Sequence, residues 1–298
     1  TIGYISEITA EELKKKEFSE YHLGERIGRG GVEETYEKSL QGIDGGEVIE
    51  VDSNGGKIRA LRTVDPIPGQ SLYLTIDADL QRLAFEKLQE AVNASGSCCG
   101  AVIVADPGTG GILAMVSLPS FDPGDVSLYL AAPHSPLLNR SLSGLYPPGS
   151  VFKIASSLAG LSSGRITPET SFEDTGVLNL GPFTFANWYF TEYGKTEGLV
   201  NMIKAIQRSN DIYFYRLGMA VGENTLGDAA KKLGLGRKMG IDIPGESTGV
   251  VPDGEWKKKN LGEVWFPGDT LHMAIGQGFV TVTPLEISTL ISTVALDG

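Results

Sequence analysis

The side chains best suited to chemistry lie in the segment Tyr146-Pro-Pro-Gly-Ser150-Val-Phe-Lys153. The two prolines and the glycine favour an extended approach, so we expect a helix to begin at Ser150. Ser150 and Lys153 would then share one helical face, because residues three apart are neighbours on a helix. A serine hydroxyl becomes a nucleophile when a neighbour accepts its proton, and a lysine with a lowered pKa can be that base. The spacing therefore favours nucleophilic serine catalysis.

Ser-x-x-Lys by itself also fits an N-cap serine followed by a solvated lysine. Apolar residues make the predicted helix, Ser150 to Leu161, hydrophobic on most sides, and a lysine in such a helix needs a partner or a function. These apolar residues are Val151, Phe152, Ile154, Ala155, Leu158, Ala159 and Leu161. On the residues alone, both interpretations stay open.

A second polar cluster, Ser209-Asn210-Asp211, lies between predicted helices at Leu199 to Gln207 and Asp211 to Ala220. All three residue types cap helices, so the cluster fits an N-cap of the second helix. A catalytic role would require Ser209 to approach Ser150 and to relay a proton to a leaving amine.

Hydrophobic periodicity predicts the elements that would position these residues. Leu72 to Ile76 alternates like a strand, and the apolar stripe that follows predicts a helix capped by Asp77 or Asp79. Ala101 to Ala105 and Ile112 to Val116 are predicted to form an antiparallel hairpin. Further predicted elements are helices at Ala10 to Phe18 and Thr225 to Leu233 and a strand at Phe279 to Thr283. This order favours an α+β domain whose helices pack on an antiparallel sheet.

Composition narrows the possible functions. The 298 residues carry a net charge of −12 with a predicted pI of 4.8, which argues against nucleic-acid binding and against broad adhesion to anionic membranes. No apolar run reaches the roughly 18 residues of a membrane-spanning helix. His22, His134 and His272 are not spaced as ligand pairs, so no metal site is predicted. The adjacent Cys98 and Cys99 are expected not to bridge.

The motifs, taken in order, resemble class B penicillin-binding proteins, particularly the elongation-type enzymes of rod-shape cell-wall synthesis. Asn139-Arg140 followed by Leu145 to Lys153 is similar to the active-site segment of that family. Other similar segments, in the family's order, are Gly28 to Leu40, Leu74 to Asp77, Asp106 to Ser117, Pro119 to Pro123, Trp265 to Thr270, Ile275 to Gly278 and Thr283-Pro284. The resemblance covers almost the whole chain.

This resemblance to class B penicillin-binding proteins implies the α+β fold of penicillin-binding transpeptidases and serine β-lactamases, with an antiparallel sheet and helices. Pro66-Ile-Pro68-Gly69 marks the expected domain boundary. Residues 1–66 would be the C-terminal part of a pedestal, or dimerisation-type, domain. Residues 67–298 would be a transpeptidase domain that lacks its C-terminal sheet strands, in a chain cut at both ends.

The resemblance also implies a role for each residue of the two motifs. Ser150 would be the nucleophile that forms the acyl-enzyme, and Lys153 would be the base that activates it. Ser209 would be the proton relay. Asp211 would take the third position of the Ser-x-Asn motif, where many members have Asn; this change replaces an amide donor by an acceptor.

Asn210, the middle residue of that motif, and Trp188 are the predicted substrate-binding residues, although Trp188 also fits a packing role. Where the family commonly has cysteine or histidine, including a His-Gly pair, this chain has Tyr193-Gly194, so no metal is expected there. The third family motif, Lys-Thr-Gly, is expected beyond this stretch, because Lys195-Thr196-Glu197 lacks the glycine and precedes Ser209. An oxyanion donor is worth about 3–4 kcal/mol, so we expect little activity from the stretch alone.

The implied activity is a serine-type D-Ala-D-Ala transpeptidase that cross-links peptidoglycan stem peptides without a cofactor and is acylated by β-lactam antibiotics. The implied partners are a membrane glycosyltransferase and other elongation proteins, bound through the pedestal, with no nucleic acid. The implied location is the extracytoplasmic side of the bacterial inner membrane, with a transmembrane anchor outside this chain. The alternatives are a β-lactamase or β-lactam sensor, which share Ser-x-x-Lys, and a non-catalytic scaffold of the elongation machinery. Residues 1–66 and the resemblance outside the active site argue against a β-lactamase.

Overall fold

The computed structural model describes all 298 residues, which form two compact units. Unit 1 comprises Thr1–Ile76, Pro119–Leu137 and Ile241–Gly245, and unit 2 comprises Asp77–Leu118, Leu138–Gly240 and Glu246–Gly298. The domain boundary expected after residue 66 stays a prediction. In neither unit is a helix both long and apolar enough to cross a lipid bilayer.

Unit 1 consists of short elements. They are β1 (Tyr4–Glu7), β2 (Arg26–Arg29), α1 (Gly31–Thr35), α2 (Glu37–Leu40), β3 (Gly46–Val51) and β4 (Lys57–Val64). β1 pairs with β2, and β3 and β4 form a separate hairpin. The helix predicted at Ala10 to Phe18 is wrong: two 3-10 turns, Glu12–Lys14 and Lys16–Phe18, are separated by Lys15 in an extended conformation.

Unit 2 contains most of the helices. Its first elements are α3 (Ala78–Ser95), β5 (Gly100–Ala105), β6 (Ile112–Leu118), α4 (Arg140–Ser143), α5 (Lys153–Ser162), β7 (Ser171–Asp174), β8 (Val177–Leu180) and β9 (Phe183–Ala186). They are followed by α6 (Trp188–Tyr193), β10 (Gly198–Asn201), α7 (Met202–Arg208), α8 (Asp211–Val221), α9 (Glu223–Lys232), α10 (Gly254–Leu261), α11 (Pro267–Ala274) and α12 (Pro284–Ala295). β5 pairs with β6, β7 with β10 and β8 with β9, all antiparallel. Helices combined with antiparallel strands agree with the predicted α+β class.

Several local predictions are confirmed. Asp77 caps α3, since its carboxylate accepts hydrogen bonds from the backbone N–H groups of Asp79 and Leu80 at 3.0 and 2.9 Å. The predicted hairpin corresponds to β5 and β6. α8 begins at Asp211 as expected, and its N-cap is Asn210, whose side chain accepts from the backbone N–H of Tyr213.

Four further expectations are wrong. Leu72 to Ile76, predicted as a strand, belongs to no strand, since β4 (Lys57–Val64) is followed directly by α3 (Ala78–Ser95). The segment predicted as a helix from Leu199 to Gln207 begins as strand β10, and α7 starts only at Met202, after the cap residue Asn201. The late strand at Phe279 to Thr283 is reduced to two isolated bridges, from Thr281 to Val250 and from Val282 to Tyr146, because the two residues bond to different segments. A disulfide joins Cys98 and Cys99, which were expected to stay unbridged.

The core of unit 2 surrounds α8. α8 buries Ile212, Phe214 and Leu217 completely, and α5, α9 and α11 pack around it. Lys153 at the start of α5 and Asp211 at the start of α8 therefore lie on the same core. This packing brings together two motifs that are more than fifty residues apart in the chain.

Candidate active site

The segment that leads to Ser150 is fixed to the chain around Gly276 and Val282. Tyr146 and Val282 exchange backbone hydrogen bonds, both of 2.9 Å, and the N–H of Gly149 donates to the carbonyl of Gly276 at 2.9 Å. Gly276 has a φ of +71°, and a Cβ there would lie 2.2 Å from the carbonyl oxygen of Gly149. Only glycine allows this close approach, so the backbone just before Ser150 is held from both sides.

Ser150 lies in a 3-10 turn, Gly149–Phe152, and the α-helix α5 begins at Lys153. The helical segment thus starts at Gly149, one residue earlier than predicted, and its first turn is a 3-10 turn instead of an α-helical turn. Phe152 is fully buried in the core, whereas Ser150 is exposed. The turn therefore presents the serine hydroxyl to solvent while Lys153, with 3% of its surface exposed, points into the protein.

Hydrogen bonds connect the two motifs. The ammonium of Lys153 donates to the Oγ of Ser209 at 3.0 Å, to the carbonyl of Ser209 at 2.8 Å and to Oδ1 of Asp211 at 2.6 Å. The hydroxyl of Ser209 donates to the Oγ of Ser150 at 2.8 Å. Lys153 therefore reaches Ser150 through Ser209, and three of the predicted catalytic groups form one continuous chain of hydrogen bonds.

The surroundings of Lys153 lower its pKa from the ordinary value of lysine. Burial lowers the pKa of Lys153, and it outweighs the charge and the hydrogen bond of Asp211, which raise it. The ring of Phe214 lies beside the same group, with its centroid 5.4 Å from the ammonium. A lysine whose pKa is below its ordinary value can supply the free amine that a general base requires.

Ser209 has an unusual backbone conformation. It is the residue after α7 and has φ +51° and ψ +41°, in the left-handed region, where glycine or asparagine is normally favoured. The N–H of Asn210 then closes the helix by donating to the carbonyl of Ala205 at 2.9 Å. A serine kept in this conformation indicates that its side chain is needed, and its hydroxyl indeed lies between Lys153 and Ser150.

Asp211 and Trp188 are in contact. Oδ2 of Asp211 accepts from the backbone N–H of Trp188 at 3.1 Å, and the indole N–H of Trp188 donates to the carbonyl of Arg208 at 3.1 Å. The half-buried indole thus packs beside the serine–lysine cluster. Asn210 is 1% exposed and its amide points into the protein. Substrate-binding roles for Asn210 and Trp188 stay predictions.

Sequence reasoning missed two buried residues behind the cluster, Asp174 and Asn187. Asn187 is fully buried, and its Oδ1 accepts from the backbone N–H of Asp211 at 3.2 Å, while its amide donates to Asp174 at 3.0 Å. Asp174 is the last residue of β7, and Asn187 precedes Trp188 in the chain. The sequence carries no signal for either residue, because the burial of both side chains appears only in the folded structure.

The arrangement can perform acyl transfer. An exposed hydroxyl, a second hydroxyl in hydrogen-bonding distance and a buried amine together provide a nucleophile, a proton relay and a base.

Comparison with known proteins identifies the family to which the chain is similar. The family model described as "Penicillin binding protein transpeptidase domain" matches residues 100–298, and the model described as "Penicillin-binding Protein dimerisation domain" matches residues 1–74. The chain is 37% identical over 298 residues to the peptidoglycan D,D-transpeptidase MrdA of Acinetobacter baumannii, covering 96% of this chain and 43% of that protein. The MrdA of Escherichia coli is 35% identical over 312 residues, covering 100% of this chain and 48% of that protein.

A solved structure supports the same likeness. The penicillin-binding protein PBP2 of Helicobacter pylori, in complex with MreC, superposes with a TM-score of 0.84 at 32% identity, covering 100% of this chain and 55% of that one. The predicted transpeptidase fold is thereby confirmed. The chain spans about half the length of the curated relatives it matches, with coverage of 43–48%.

Proposed function

Because the chain belongs to the penicillin-binding protein transpeptidase family, we propose that the protein carrying it cross-links peptidoglycan through an acyl-enzyme on Ser150. The proposed substrates are stem peptides that end in D-Ala-D-Ala, and β-lactams would acylate the same serine as mimics of that terminus. One observation carries the proposal: the hydroxyl of Ser209 lies 2.8 Å from the Oγ of Ser150 and 3.0 Å from the ammonium of Lys153.

In the acylation step, the Oγ of Ser150 attacks the carbonyl carbon between the two D-alanines. Its proton moves to the oxygen of Ser209 while the hydroxyl proton of Ser209 moves to the free amine of Lys153. The protonated Lys153 then returns a proton through Ser209 to the nitrogen of the departing D-alanine. The carbon–nitrogen bond breaks, and the acyl group remains on Ser150 as an ester.

In the second step, an amine from a neighbouring stem peptide attacks this ester. The same relay takes the proton of the amine, and the Oγ of Ser150 leaves with a proton supplied from Lys153. Asp211 serves both steps, because its carboxylate holds the ammonium at 2.6 Å and stabilises Lys153 when it is protonated.

The relatives support proposals about partners and location. The H. pylori relative is described in complex with MreC, and we propose that this protein binds elongation proteins of that kind, and a membrane glycosyltransferase, through residues 1–66. Cross-linking of peptidoglycan requires the active site to face the cell wall. The proposed location is therefore the bacterial cell envelope, on the extracytoplasmic side of the inner membrane.

Labelling with a fluorescent penicillin tests the proposed function in the complete protein that carries this chain. We expect one covalent label per molecule, located by peptide mass spectrometry at Ser150, and no label on Ser150→Ala. Ser162→Ala is the matched control, because Ser162 is an exposed serine at the other end of α5 and should label like the wild type.

Two outcomes would contradict the proposal. Equal labelling of Ser150→Ala would exclude Ser150 as the nucleophile and leave a non-catalytic scaffold as the better description. Loss of the label from the wild type within seconds would indicate a β-lactamase, because a transpeptidase of this kind retains the penicilloyl ester.

A further inference from the structure

Asp174, the last residue of β7, is a buried carboxylate that the proposed reaction does not use. It is 3% exposed and accepts four N–H groups. Oδ1 accepts from the backbone of Gly176 at 2.9 Å. Oδ2 accepts from the side-chain amides of Asn187 at 3.0 Å and Asn210 at 2.9 Å, and from the backbone of Glu197 at 3.0 Å.

The two amides connect Asp174 to the reacting groups. Asn187 uses its Oδ1 to hold the backbone N–H of Asp211, and Asn210 is the residue between Ser209 and Asp211. Both asparagines are at most 1% exposed, so water does not compete for these bonds. The carboxylate of Asp174 is therefore linked to the Ser209–Asp211 loop twice, directly through Asn210 and indirectly through Asn187, which holds the backbone of Asp211.

This loop needs external support. Ser209 has a left-handed conformation that costs energy for a residue with a side chain, and it persists only when its surroundings fix it. Hydrogen bonds to a charged acceptor are stronger than those between neutral groups. A buried carboxylate is therefore well suited to fix the loop, although it requires several donors to offset its desolvation.

We propose that Asp174 is a positioning residue that fixes Ser209 and Asp211 against Lys153 through the side chains of Asn187 and Asn210. This role rests on the proposed transpeptidase function. A displacement of about 1 Å between reacting groups can slow a reaction on the order of 10²-fold, and the bonds from Lys153 to Asp211 and Ser209 would lengthen without the carboxylate.

The experiment measures the rate of acylation of Ser150 by a fluorescent penicillin as a function of pH, in the complete protein, together with the melting temperature. Asp174→Ala removes all four acceptor contacts and should slow acylation by about 10- to 100-fold. Asp174→Asn should retain most of the rate, because the amide oxygen can occupy the place of Oδ2 and keep three of the four donors.

The pH profile separates positioning from a loss of stability. The rate of acylation should rise with pH as Lys153 loses its proton, and this part of the pH–rate profile is called the rising limb. Asp211 is the charged group bonded to Lys153, and it raises the pKa of that lysine. If Asp211 moves away in Asp174→Ala, the pKa of Lys153 falls further and the rising limb should shift to lower pH.

Glu286 provides a matched control. It is also a buried carboxylate, 1% exposed, that accepts backbone N–H groups, from Gly236, Gly249 and Thr283. Its hydrogen bonds go to no residue of the Ser150 cluster. Glu286→Gln should lower the melting temperature but leave the rising limb of the pH–rate profile at its wild-type pH.

The outcomes are distinct. A folded Asp174→Ala with the wild-type rate and limb would overturn the positioning role, as would an equal shift of the limb in Glu286→Gln. If Asp174→Ala does not fold, Asn187→Ala carries the test, with the same slower rate and shifted limb expected, since Asn187 is the link to the backbone of Asp211. A wild-type protein that no penicillin labels would overturn the proposed function, and the positioning role with it.

Discussion

Two lysines lie inside unit 2, and each is paired with an aspartate. Lys153 in the candidate active site is 3% exposed and bonds to Asp211 at 2.6 Å, and Lys257 in α10 is 2% exposed and bonds to Asp269 at 2.7 Å. Their pKa values nevertheless move in opposite directions. Burial lowers the pKa of Lys153 below its ordinary value. For Lys257 the effect of burial is outweighed by ion pairs with Asp269 and Glu263, so its pKa is raised.

The difference lies in the number of partner charges. Lys257 has a second carboxylate, Glu263, at 3.3 Å. Aromatic rings do not account for the difference, because both ammonium groups lie close to a ring: Lys257 lies 4.7 and 5.2 Å from the centroids of Phe266 and Phe279, and Lys153 lies 5.4 Å from that of Phe214. Lys153 has one carboxylate, and its other hydrogen bonds go to Ser209. Burial therefore does not identify a catalytic lysine. The balance between desolvation and opposite charge, together with a hydroxyl that leads to the exposed Ser150, makes Lys153 the candidate catalytic lysine.

The largest expected effect follows from replacing Lys153. Lys153→Met and Lys153→Arg should each slow penicillin acylation of Ser150 by about 10³-fold, because neither side chain can accept a proton. Arginine keeps the positive charge but cannot accept a proton, so this variant distinguishes a requirement for a base from a requirement for a positive charge. Acylation rates of the two variants in the complete protein, with circular dichroism as the control for folding, provide the measurement. Near-wild-type activity of Lys153→Arg would show that charge alone is sufficient.

Replacing Lys257 should act on stability instead. Lys257→Met leaves Asp269, which caps α11 by accepting from the backbone of Phe266, without its buried cation. The free energy of unfolding should fall by about 3 kcal/mol, as is typical when one partner of a buried pair is removed. Denaturant unfolding measures this change, and acylation of the folded protein should stay within about threefold of wild type.

Lys258→Met is the control for this prediction, because the neighbouring Lys258 is exposed and its loss should change stability by less than about 0.5 kcal/mol. If Lys257→Met lost acylation to the same extent as Lys153→Met, the distinction between a catalytic and a structural lysine would be wrong.

The sequence predicted one side of this comparison only. The spacing of Ser150 and Lys153 on a hydrophobic helix is local information, and so is the polar cluster that contains Ser209 and Asp211, whereas the roles predicted for these residues depend on the family resemblance. Lys257 lies in a polar segment, Trp256 to Asn260, and nothing in that pattern indicates that its side chain is buried against Phe279.

Long-range contacts explain the other omissions. Asp174 meets Asn187 and Asn210 across 13 and 36 residues, so no local pattern could connect them. The pattern predicts a helix over β10 as well as α7, since a short, mainly apolar segment such as Leu199 to Ile203 fits a strand and a helix equally well. The pairing of β10 with β7 decides in favour of a strand, and that pairing is also what brings Glu197 to Asp174.

The smallest expected effect is a shift in pH dependence. Acylation should rise with pH along a limb that lies below the ordinary lysine pKa of 10.5, because the pKa of Lys153 is lowered. In Asp211→Asn the carboxylate that raises the pKa of Lys153 loses its charge. The limb should therefore move to still lower pH. Acylation rates measured across the pH range check this shift.

The matched change on the second lysine is Asp269→Asn. It removes the corresponding charge from Lys257 and should lower the pKa of that lysine as well. Since Lys257 takes no part in the relay, the acylation limb should remain where it is in the wild type. A limb that moved equally in both variants would mean that the two aspartates act through general electrostatics of unit 2. A limb that moved only in Asp211→Asn would show that the proton required for acylation is taken up at Lys153.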